Sequence, residues 1–346
     1  MIIVMKPGAG PELIDPVVKR VEELGLNVHL SAGEERTIIG VVGLPLPPTL
    51  DEMLEVYPGV EQVVRVTKKF KLAGWDFHPF KTIFTVGEAT IGGDEVTLIA
   101  GPCSVESEEQ TLETARAVKA AGAKLLRGGA YKPRTSPYEF RGLGERGLQI
   151  LAEARAETGL AIITEVMTPA DIDVVGKYAD VFQIGARNCQ NYLLLEEVGK
   201  AGKPVMLKRG LSLMVEEWLL AAEYVMAQGT SNVILCERGI RTFETATRNT
   251  LDVSAVPVVQ SLSHLPVFVD PSHAAGKRPF VAALALAAVA AGADGLIVEV
   301  HPSPDHALSD GAQSLDFAEF RDLTPRIAAV AAAVGRSLPV PEVVPA

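Results

Sequence analysis

A loop of ten residues concentrates groups that bind anions. Two glycines, three cations and two aliphatic hydroxyls follow an apolar run, in the order Arg127-Gly128-Gly129-Ala130-Tyr131-Lys132-Pro133-Arg134-Thr135-Ser136. Glycine lets the backbone approach a ligand, arginine grips an oxyanion through two hydrogen bonds, and lysine supplies a compact positive charge. The loop is therefore predicted to hold more than one anionic group, although a solvated basic turn would have a similar composition.

Further ionisable groups follow other apolar runs. Arg187 lies in Gln183-Ile184-Gly185-Ala186-Arg187-Asn188, Lys208 ends one run, Arg238 follows another, and Glu165 ends a fourth with a carboxylate suited to proton transfer. If these runs are parallel strands, their carboxyl ends meet at one edge and the cations converge. That much positive charge exceeds the need of one carboxylate and suits two phosphorylated substrates bound together.

Four potential metal ligands form a second set, namely Cys103, His273, Glu299 and Asp310. A thiolate, an imidazole and two carboxylates suit a divalent transition metal (Mn, Fe, Co or Zn) with a position open for substrate or water. The four lie far apart in the sequence, so only the fold can bring them together. Each also has a structural interpretation, because a cysteine after a strand is often a buried small residue and a histidine in a turn is often a structural donor.

The elements that must position these residues alternate between strand and helix eight times. The predicted strands are Val96–Ala100, Lys124–Arg127, Ile162–Glu165, Val181–Ile184, Val205–Lys208, Val233–Cys236, Val267–Asp270 and Leu296–Val300. Eight such units in about 250 residues predict an α/β fold, a (β/α)8 TIM barrel over residues 95–346. A doubly wound open sheet would have fewer strands, and no Gly-x-Gly-x-x-Gly turn follows the first strand.

Residues 1–70 are predicted to form a separate domain with the order βαββαβ. The elements are strand Ile2–Met5, helix Pro11–Leu24, strands Asn27–Leu30 and Thr37–Val42, helix Leu50–Val56 and strand Val60–Val66. That order is typical of ferredoxin-like domains. Such a unit either binds a small regulator or serves oligomerisation, and the pattern leaves both open. Residues 71–94 are predicted to be a linker and a capping hairpin with strands Thr82–Thr85 and Glu88–Ile91.

Composition excludes several classes of partner. The net charge of -11 and the pI near 5.2 argue against nucleic acid and against an anionic membrane. The three cysteines are unevenly spaced, which indicates a reducing compartment. The apolar start is too short for a signal peptide, and the longest apolar run is too short for a membrane span. We expect a cytoplasmic protein.

Several motifs resemble those of 3-deoxy-D-arabino-heptulosonate 7-phosphate (DAHP) synthases of type Iβ. The motifs are residues 100–106 (AGPCSVE), 127–136 (RGGAYKPRTS), 183–188 (QIGARN), 236–241 (CERGIR), 270–273 (DPSH) and 308–315 (LSDGAQSL). The resemblance covers the whole chain, and residues 27–40 resemble the regulatory ferredoxin-like domain of some members. The related 3-deoxy-manno-octulosonate 8-phosphate synthases use arabinose 5-phosphate and typically have Lys-Ala-Asn-Arg-Ser where this chain has Lys132-Pro133-Arg134-Thr135-Ser136.

The resemblance implies condensation of phosphoenolpyruvate with erythrose 4-phosphate, the first step of the shikimate pathway of aromatic amino acid biosynthesis. It implies one divalent metal ion (Mn, Co, Zn or Fe) on the four-ligand set, which makes Cys103 and His273 catalytic residues, and proton transfer by Lys132 or Glu165. The substrate contacts it implies are Arg127 and Lys132 for the phosphoenolpyruvate carboxylate, Ala186, Arg187, Lys208 and Arg238 for its phosphate, and Arg134, Thr135 and Ser136 for the second phosphate.

The resemblance also implies regulation, and two alternative functions are to be weighed against it. It implies feedback inhibition by tyrosine or phenylalanine, with His29 and Ser31 as effector contacts, in an expected homotetramer. A non-catalytic sugar-phosphate sensor would keep the anion-binding cations but lack part of the metal set, whereas this chain has both. A lyase-type barrel would form a Schiff base on Lys208, although bound phosphates explain the neighbouring arginines better.

Overall fold

The chain forms two compact units. The computed structural model describes residues 1–33, 36–43, 46–47, 49–65, 69–132 and 138–339. The first unit consists of Met1–Lys81 with Leu262–His264, and the second contains the rest of the described chain. No helix among the described residues is long and apolar enough to cross a membrane. The domain boundaries at residues 70 and 94 remain a proposal.

The first unit contains a four-stranded antiparallel sheet and two helices in the predicted βαββαβ order. The strands are β1 (Ile2–Met5), β2 (Asn27–Ala32), β3 (Thr37–Val42) and β4 (Val60–Val64), and the helices are α1 (Pro11–Glu23) and α2 (Leu50–Glu55). The sheet order is β2-β3-β1-β4. Alternate residues such as Ile39 and Val41 join a core with Val17 and Val21 of α1, as the two-residue strand period requires.

Residues after the last strand of this sheet are packed rather than extended in solvent. Phe70, Leu72 and Ala73 are buried, and the ring of Phe77 lies against the backbone of Gly40. A side chain at position 40 would overlap that ring, so glycine permits the close approach. The segment predicted as a linker thus contributes apolar side chains to the first unit.

The second unit is a closed barrel of eight parallel strands, and the predicted fold class is confirmed. The strands are β7 (Thr97–Gly101), β8 (Leu125–Arg127), β9 (Ala161–Glu165), β10 (Val181–Ile184), β11 (Val205–Lys208), β12 (Val233–Glu237), β13 (Val267–Val269) and β14 (Gly295–Glu299). Each strand pairs in parallel with the next, and β14 closes the barrel onto β7. The helices are α3 (Glu108–Ala120), α4 (Glu145–Thr158), α5 (Ile172–Gly176), α6 (Tyr192–Lys200), α7 (Val215–Met226), α8 (Ala255–Leu262), α9 (Pro271–Ala275), α10 (Arg278–Ala290) and α11 (Phe317–Ala333).

A hairpin fills one end of the barrel. Its strands are β5 (Phe84–Val86) and β6 (Ala89–Ile91), shifted from the predicted ranges so that Gly87 begins the two-residue turn. Gly87 has a φ of +56°, the positive value that tight hairpin turns require. Buried side chains of the hairpin pack against the barrel interior, together with Ile99, Leu125, Ile163, Met206, Ile234, Phe268 and Ile297.

Candidate active site

A cavity of about 450 Å³ lies among the residues that follow the carboxyl ends of the strands. It brings together nine of the residues singled out in the sequence, namely Arg127, Lys132, Glu165, Ala186, Arg187, Lys208, Arg238, His273 and Asp310. Its lining also includes polar residues to which the sequence analysis assigned no role, among them Arg241, Arg248 and Asn249. The predicted convergence of cations from different strands is therefore present in the fold, and it is larger than expected.

The four predicted metal ligands meet beside this cavity. One ligand atom of each of Cys103, His273, Glu299 and Asp310 lies within 4.8 Å of all the others. They come together because β13, β14 and β7 are neighbours in the barrel, and the residues follow or end these strands. One sulfur, one imidazole nitrogen and two carboxylate oxygens form a donor set that fits a divalent transition metal.

The electrostatics of this group favour a cation. Burial raises the pKa of the Cys103 thiol to about 12, and the nearby Glu299 carboxylate adds to the effect. A divalent ion bound among these groups would reverse that preference, because coordination deprotonates a thiol. The residues present therefore fit a metal better than they fit a metal-free cluster of buried acids.

Two of the predicted substrate-binding cations contact the ligand set. Arg127 Nη1 lies 2.9 Å from Glu299 Oε1, whereas Arg127 Nε is buried without a hydrogen-bond partner in the described structure. Lys132 Nζ donates to the carbonyl oxygen and to Sγ of Cys103, each at 3.0 Å. Burial alone would lower the pKa of Lys132, but the nearby Cys103 and Glu299 raise it, so the side chain is an ammonium ion.

Asp270 is a buried residue of the site to which the sequence assigned no role. Its Oδ2 accepts from Lys208 Nζ at 2.6 Å and lies 2.7 Å from His273 Nδ1, while its Oδ1 accepts from the His273 amide at 2.9 Å. Burial would raise the pKa of Asp270, but His273 and Lys208 hold it well below its usual range. A proton on Nδ1 leaves His273 Nε2 free to act as a ligand.

A sequence signal for Asp270 exists. The order Asp-Pro places an aspartate directly before a proline at the first position of a helix, which is typical of an N-cap. The residue was predicted instead as the end of a strand. One carboxylate thus caps α9, orients His273 and holds Lys208.

Two other residues hold the carboxylate ligands. Arg248 Nη1 lies 3.1 Å from Asp310 Oδ1 and 3.0 Å from Gln313 Oε1, and Gln313 Nε2 donates to Glu299 Oε2 at 2.6 Å. These contacts orient both carboxylates, as partners of metal ligands commonly do. Arg248 and Asp310 are 62 residues apart, so no local pattern in the sequence indicates their contact.

Glu165 lies against the floor of the cavity. Gln183 Nε2 approaches Glu165 Oε2 at 3.4 Å. Both residues, with Arg127 and Lys132, also line a small adjoining space of about 10 Å³, close to the least that can hold one water molecule. The carboxylate is therefore placed where it can contact both a bound substrate and a single water.

The remaining predicted site residues are not among the described residues that line this cavity. Arg134, Thr135 and Ser136 lie outside the described residues. His29 and Ser31 lie on β2, an edge strand of the first unit, opposite Gly40 and Ile38 of β3. Val28, which directly precedes His29 in β2, packs against the core of the unit. Because successive side chains of a strand point to opposite faces, His29 and Ser31 point to the other face of the sheet.

Comparison with known proteins identifies the family. Residues 71–333 match the DAHP synthetase I family, and residues 1–68 match the DAHP synthase ferredoxin-like domain. The chain belongs to the DAHP synthetase I family. It is therefore an enzyme, and the family predicted from the sequence motifs is confirmed.

Relatives differ in how much of the chain they share. A phospho-2-dehydro-3-deoxyheptonate aldolase of Thermotoga maritima is 52% identical over 335 residues, which are 97% of this chain and 99% of the relative. A 2-dehydro-3-deoxyphosphooctonate aldolase of Syntrophotalea carbinolica is 36% identical over 268 residues, which are 72% of this chain and 96% of the relative. The heptonate relative thus matches both units, at higher identity.

Solved structures agree with this grouping. The crystal structure of the DAHP synthase of Thermotoga maritima covers 97% of this chain and 98% of its own, with a TM-score of 0.77 and 51% identity. A truncated form of the 3-deoxy-D-arabino-heptulosonate 7-phosphate synthase of Thermotoga maritima covers 78% of this chain and 98% of its own, with a TM-score of 0.73 and 50% identity.

Proposed function

We propose that this enzyme condenses phosphoenolpyruvate with erythrose 4-phosphate to give DAHP and inorganic phosphate. The observation that carries this proposal is the position of a cation-lined cavity directly beside the four-ligand group. The Thermotoga relative, which matches nearly the whole chain, supports the four-carbon substrate over arabinose 5-phosphate. The octulosonate aldolases are less similar and match a smaller part of the chain.

Phosphoenolpyruvate binds through both of its anionic groups. Its carboxylate accepts hydrogen bonds from Arg127 Nε and from Lys132. Arg127 Nε suits this role because a buried guanidinium nitrogen without a partner favours an anion. Its phosphate binds the side chains of three further cations of the cavity, Arg187, Lys208 and Arg238, and the backbone amide of Ala186. The phosphate of erythrose 4-phosphate binds Arg134, Thr135 and Ser136, a proposal that rests on the loop sequence.

The reaction joins C3 of phosphoenolpyruvate to the aldehyde carbon, adds water at C2, and breaks the C–O bond to phosphate. Lys132, an ammonium ion buried beside Cys103, gives the proton that the aldehyde oxygen takes up. Glu165, held by Gln183, accepts a proton from the water that adds at C2. Cys103, His273, Glu299 and Asp310 would hold a divalent ion, which would supply Lewis-acid chemistry for the aldehyde.

The first unit is the regulatory part of this proposal. Tyrosine or phenylalanine binds at the face of β2 that carries His29 and Ser31 and lowers the activity of a homotetramer. Both side chains are half-buried and point away from the core of the unit, and this partial accessibility supports the proposal. The match of residues 1–68 to the ferredoxin-like domain of this family also supports it.

The deciding experiment follows loss of phosphoenolpyruvate with erythrose 4-phosphate or with arabinose 5-phosphate, each with and without EDTA. We expect turnover with erythrose 4-phosphate only, abolished by EDTA and restored by Mn, Co or Zn. A preference for arabinose 5-phosphate would identify an octulosonate synthase, and binding without turnover of either sugar would identify a sensor. Covalent capture of substrate on Lys208 by borohydride would identify a lyase.

A further inference from the structure

Behind the cavity, two buried side chains of opposite charge join β11 to β12. Arg209 Nη1 lies 2.9 Å from Glu237 Oε2, and the side chains are 6% and 0% exposed. Arg209 directly follows Lys208 in the chain, and Glu237 directly precedes Arg238. Each member of the buried pair is therefore the sequence neighbour of a cation that lines the cavity.

Arg209 is held from several sides. Its Nη1 also lies 2.9 Å from Asp252 Oδ2, and its Nε donates to the carbonyl oxygen of Leu213 at 3.0 Å. Its guanidinium carbon lies 5.8 Å from the ring centre of Trp218 on α7. Because successive side chains of a strand point to opposite faces, this contact directs Arg209 to the helix layer and Lys208 to the cavity.

Glu237 anchors the turn that carries Arg238. Its Oε1 accepts a hydrogen bond from the Gly239 amide at 2.7 Å, and its carbonyl oxygen accepts one from the Asp270 amide at 2.8 Å. Gly239 has a φ of +88°, a conformation that glycine adopts without strain. Arg238 lies between these two anchored positions, so its backbone is held on both sides.

The anchoring of the backbone matters for Arg238 because no hydrogen bond among the described residues orients its side chain. The residue is 6% exposed, yet its guanidinium makes no hydrogen bond or ion pair within the described part of the chain. Lys208 differs, since Asp270 Oδ2 holds its ammonium group at 2.6 Å. A buried arginine without a hydrogen-bond partner favours an incoming anion, and the position of its backbone limits where the guanidinium can lie.

Stability alone does not explain the buried pair. Removing two charges from water costs energy that their attraction only partly offsets, and well-packed apolar side chains are often as stabilising. We propose that Arg209 and Glu237 are positioning residues that fix Arg238, and thereby the phosphate of phosphoenolpyruvate. This inference rests on the proposed function and adds to it the residues that determine affinity for the phosphate.

The first test compares two matched substitutions. Glu237→Gln keeps the size of the side chain and an acceptor for the Gly239 amide but removes one of the two carboxylate charges that face Arg209, while Asp252 stays in place. Asp294→Asn is the control, because Asp294 likewise accepts from one arginine, Arg336 at 2.9 Å, and from one backbone amide, at 2.8 Å. That control pair lies at the opposite, amino-terminal ends of β13 and β14.

Calorimetry with phosphoenolpyruvate gives the expected contrast. Glu237→Gln should raise the Kd by about ten- to hundredfold, the loss that a small misplacement of a binding group produces. The KM for erythrose 4-phosphate should stay within about twofold of the wild-type value, because Arg209 and Glu237 form no hydrogen bond with the described residues on either side of that substrate's loop. Asp294→Asn should leave the Kd unchanged. Equal weakening in both variants, or in neither, would overturn the inference.

A double variant separates positioning from folding. Replacing Arg209 and Glu237 together by methionine removes the pair but keeps apolar packing, which buried ion pairs commonly tolerate. We expect a folded protein with weakened phosphoenolpyruvate binding, and wild-type affinity in that folded protein would overturn this inference alone. Wild-type enzyme that fails to bind phosphoenolpyruvate would overturn the proposed function as well. Binding needs no turnover, so the inference is tested whatever the assay with erythrose 4-phosphate gives.

Discussion

A single sulfur atom connects the two halves of the candidate site. Cys103 Sγ accepts from Lys132 Nζ at 3.0 Å and from Ser309 Oγ at 3.1 Å, and it lies 3.1 Å from Asp310 Oδ2. Burial makes the thiolate costly, as the raised pKa of about 12 indicates. Because the sulfur is buried away from water, a bound cation is needed to stabilise the thiolate. The role of Cys103 is therefore testable through the metal itself.

Replacing the sulfur should weaken metal binding. Substituting a residue that only supports a metal ligand lowers metal affinity by roughly ten- to hundredfold. We expect Cys103→Ser, which removes a ligand atom itself, to lower zinc affinity by more than that. Competition with a chromophoric chelator measures this without any turnover. Cys189→Ser is the control, because Cys189 is also buried but lies outside the ligand group. Wild-type zinc affinity in Cys103→Ser would remove this residue from the metal site.

In the proposed function, Arg134 binds the phosphate of the second substrate. Arg134→Ala should raise the KM for erythrose 4-phosphate by roughly ten- to hundredfold, since one charge-assisted contact is worth about 1.5–3 kcal/mol. Steady-state kinetics with each substrate varied in turn measures the change. Arg146→Ala, at an exposed position of α4, should change neither constant. A rise in the KM for phosphoenolpyruvate instead would mean that the two phosphate sites are exchanged.

At the scale of elements, the two ends of the barrel have separate tasks. The carboxyl ends carry the cavity and the ligand group, whereas the hairpin of β5 and β6 closes the interior from within the apolar core. Parallel strands without such a plug would expose their inner side chains at that end. The hairpin should therefore contribute to stability and leave substrate binding alone.

Truncating the hairpin core tests this division. Ile91 is fully buried, and Ile91→Ala should lower the free energy of unfolding by about 2–5 kcal/mol through lost burial and a cavity. Denaturant titration measures the change, while the KM values should stay at their wild-type level. Thr85→Ala, at an exposed position of the same hairpin, should change stability by no more than about 0.5 kcal/mol. A large shift in either KM would show that the hairpin also acts on the cavity.

At the scale of the whole molecule, the candidate site belongs to one of the two units. Each described residue that lines the cavity or belongs to the ligand group lies in the second unit, and none lies in the first. A truncated form of the Thermotoga maritima synthase, which covers 78% of this chain, has a solved structure. An effector bound to the first unit can act only by binding more tightly to one state of the enzyme than to another.

Removing the first strands and helices should separate the two functions. We expect tyrosine to inhibit the full chain, and a chain that begins at Lys71 to stay active but lose that inhibition. Activity titrated with tyrosine measures both. His29→Ala in the full chain is the matched variant, expected to keep wild-type kcat and to lose sensitivity. Equal inhibition of the shortened chain would place the effector site in the barrel.

The class of fold and the chemical types at the site could be predicted from the sequence alone. Eight apolar runs with intervening helical periodicity are enough for a barrel, because each run buries one strand and the alternation permits few topologies. Strand-end residues such as Arg127, Lys208 and Glu299 were identifiable for the same reason, since parallel strands present their carboxyl ends at one edge. The pattern of apolar runs and the rule that parallel strands present their carboxyl ends at one edge were sufficient to predict these residues.

Tertiary structure alone decided which side chains hold the others in place. Arg248 reaches Asp310 across 62 residues, and Arg209 reaches Glu237 across 28, at distances that depend on side-chain direction in neighbouring loops and strands. Neither contact produces a periodic pattern in the sequence, because each joins two single residues rather than two faces of helices or strands. Asp270 had a local signal as an N-cap, but its contact with Lys208 required β11 and β13 to flank β12 in a closed barrel. Pairings of this kind depend on the closure of the whole sheet, which no segment of the chain encodes alone.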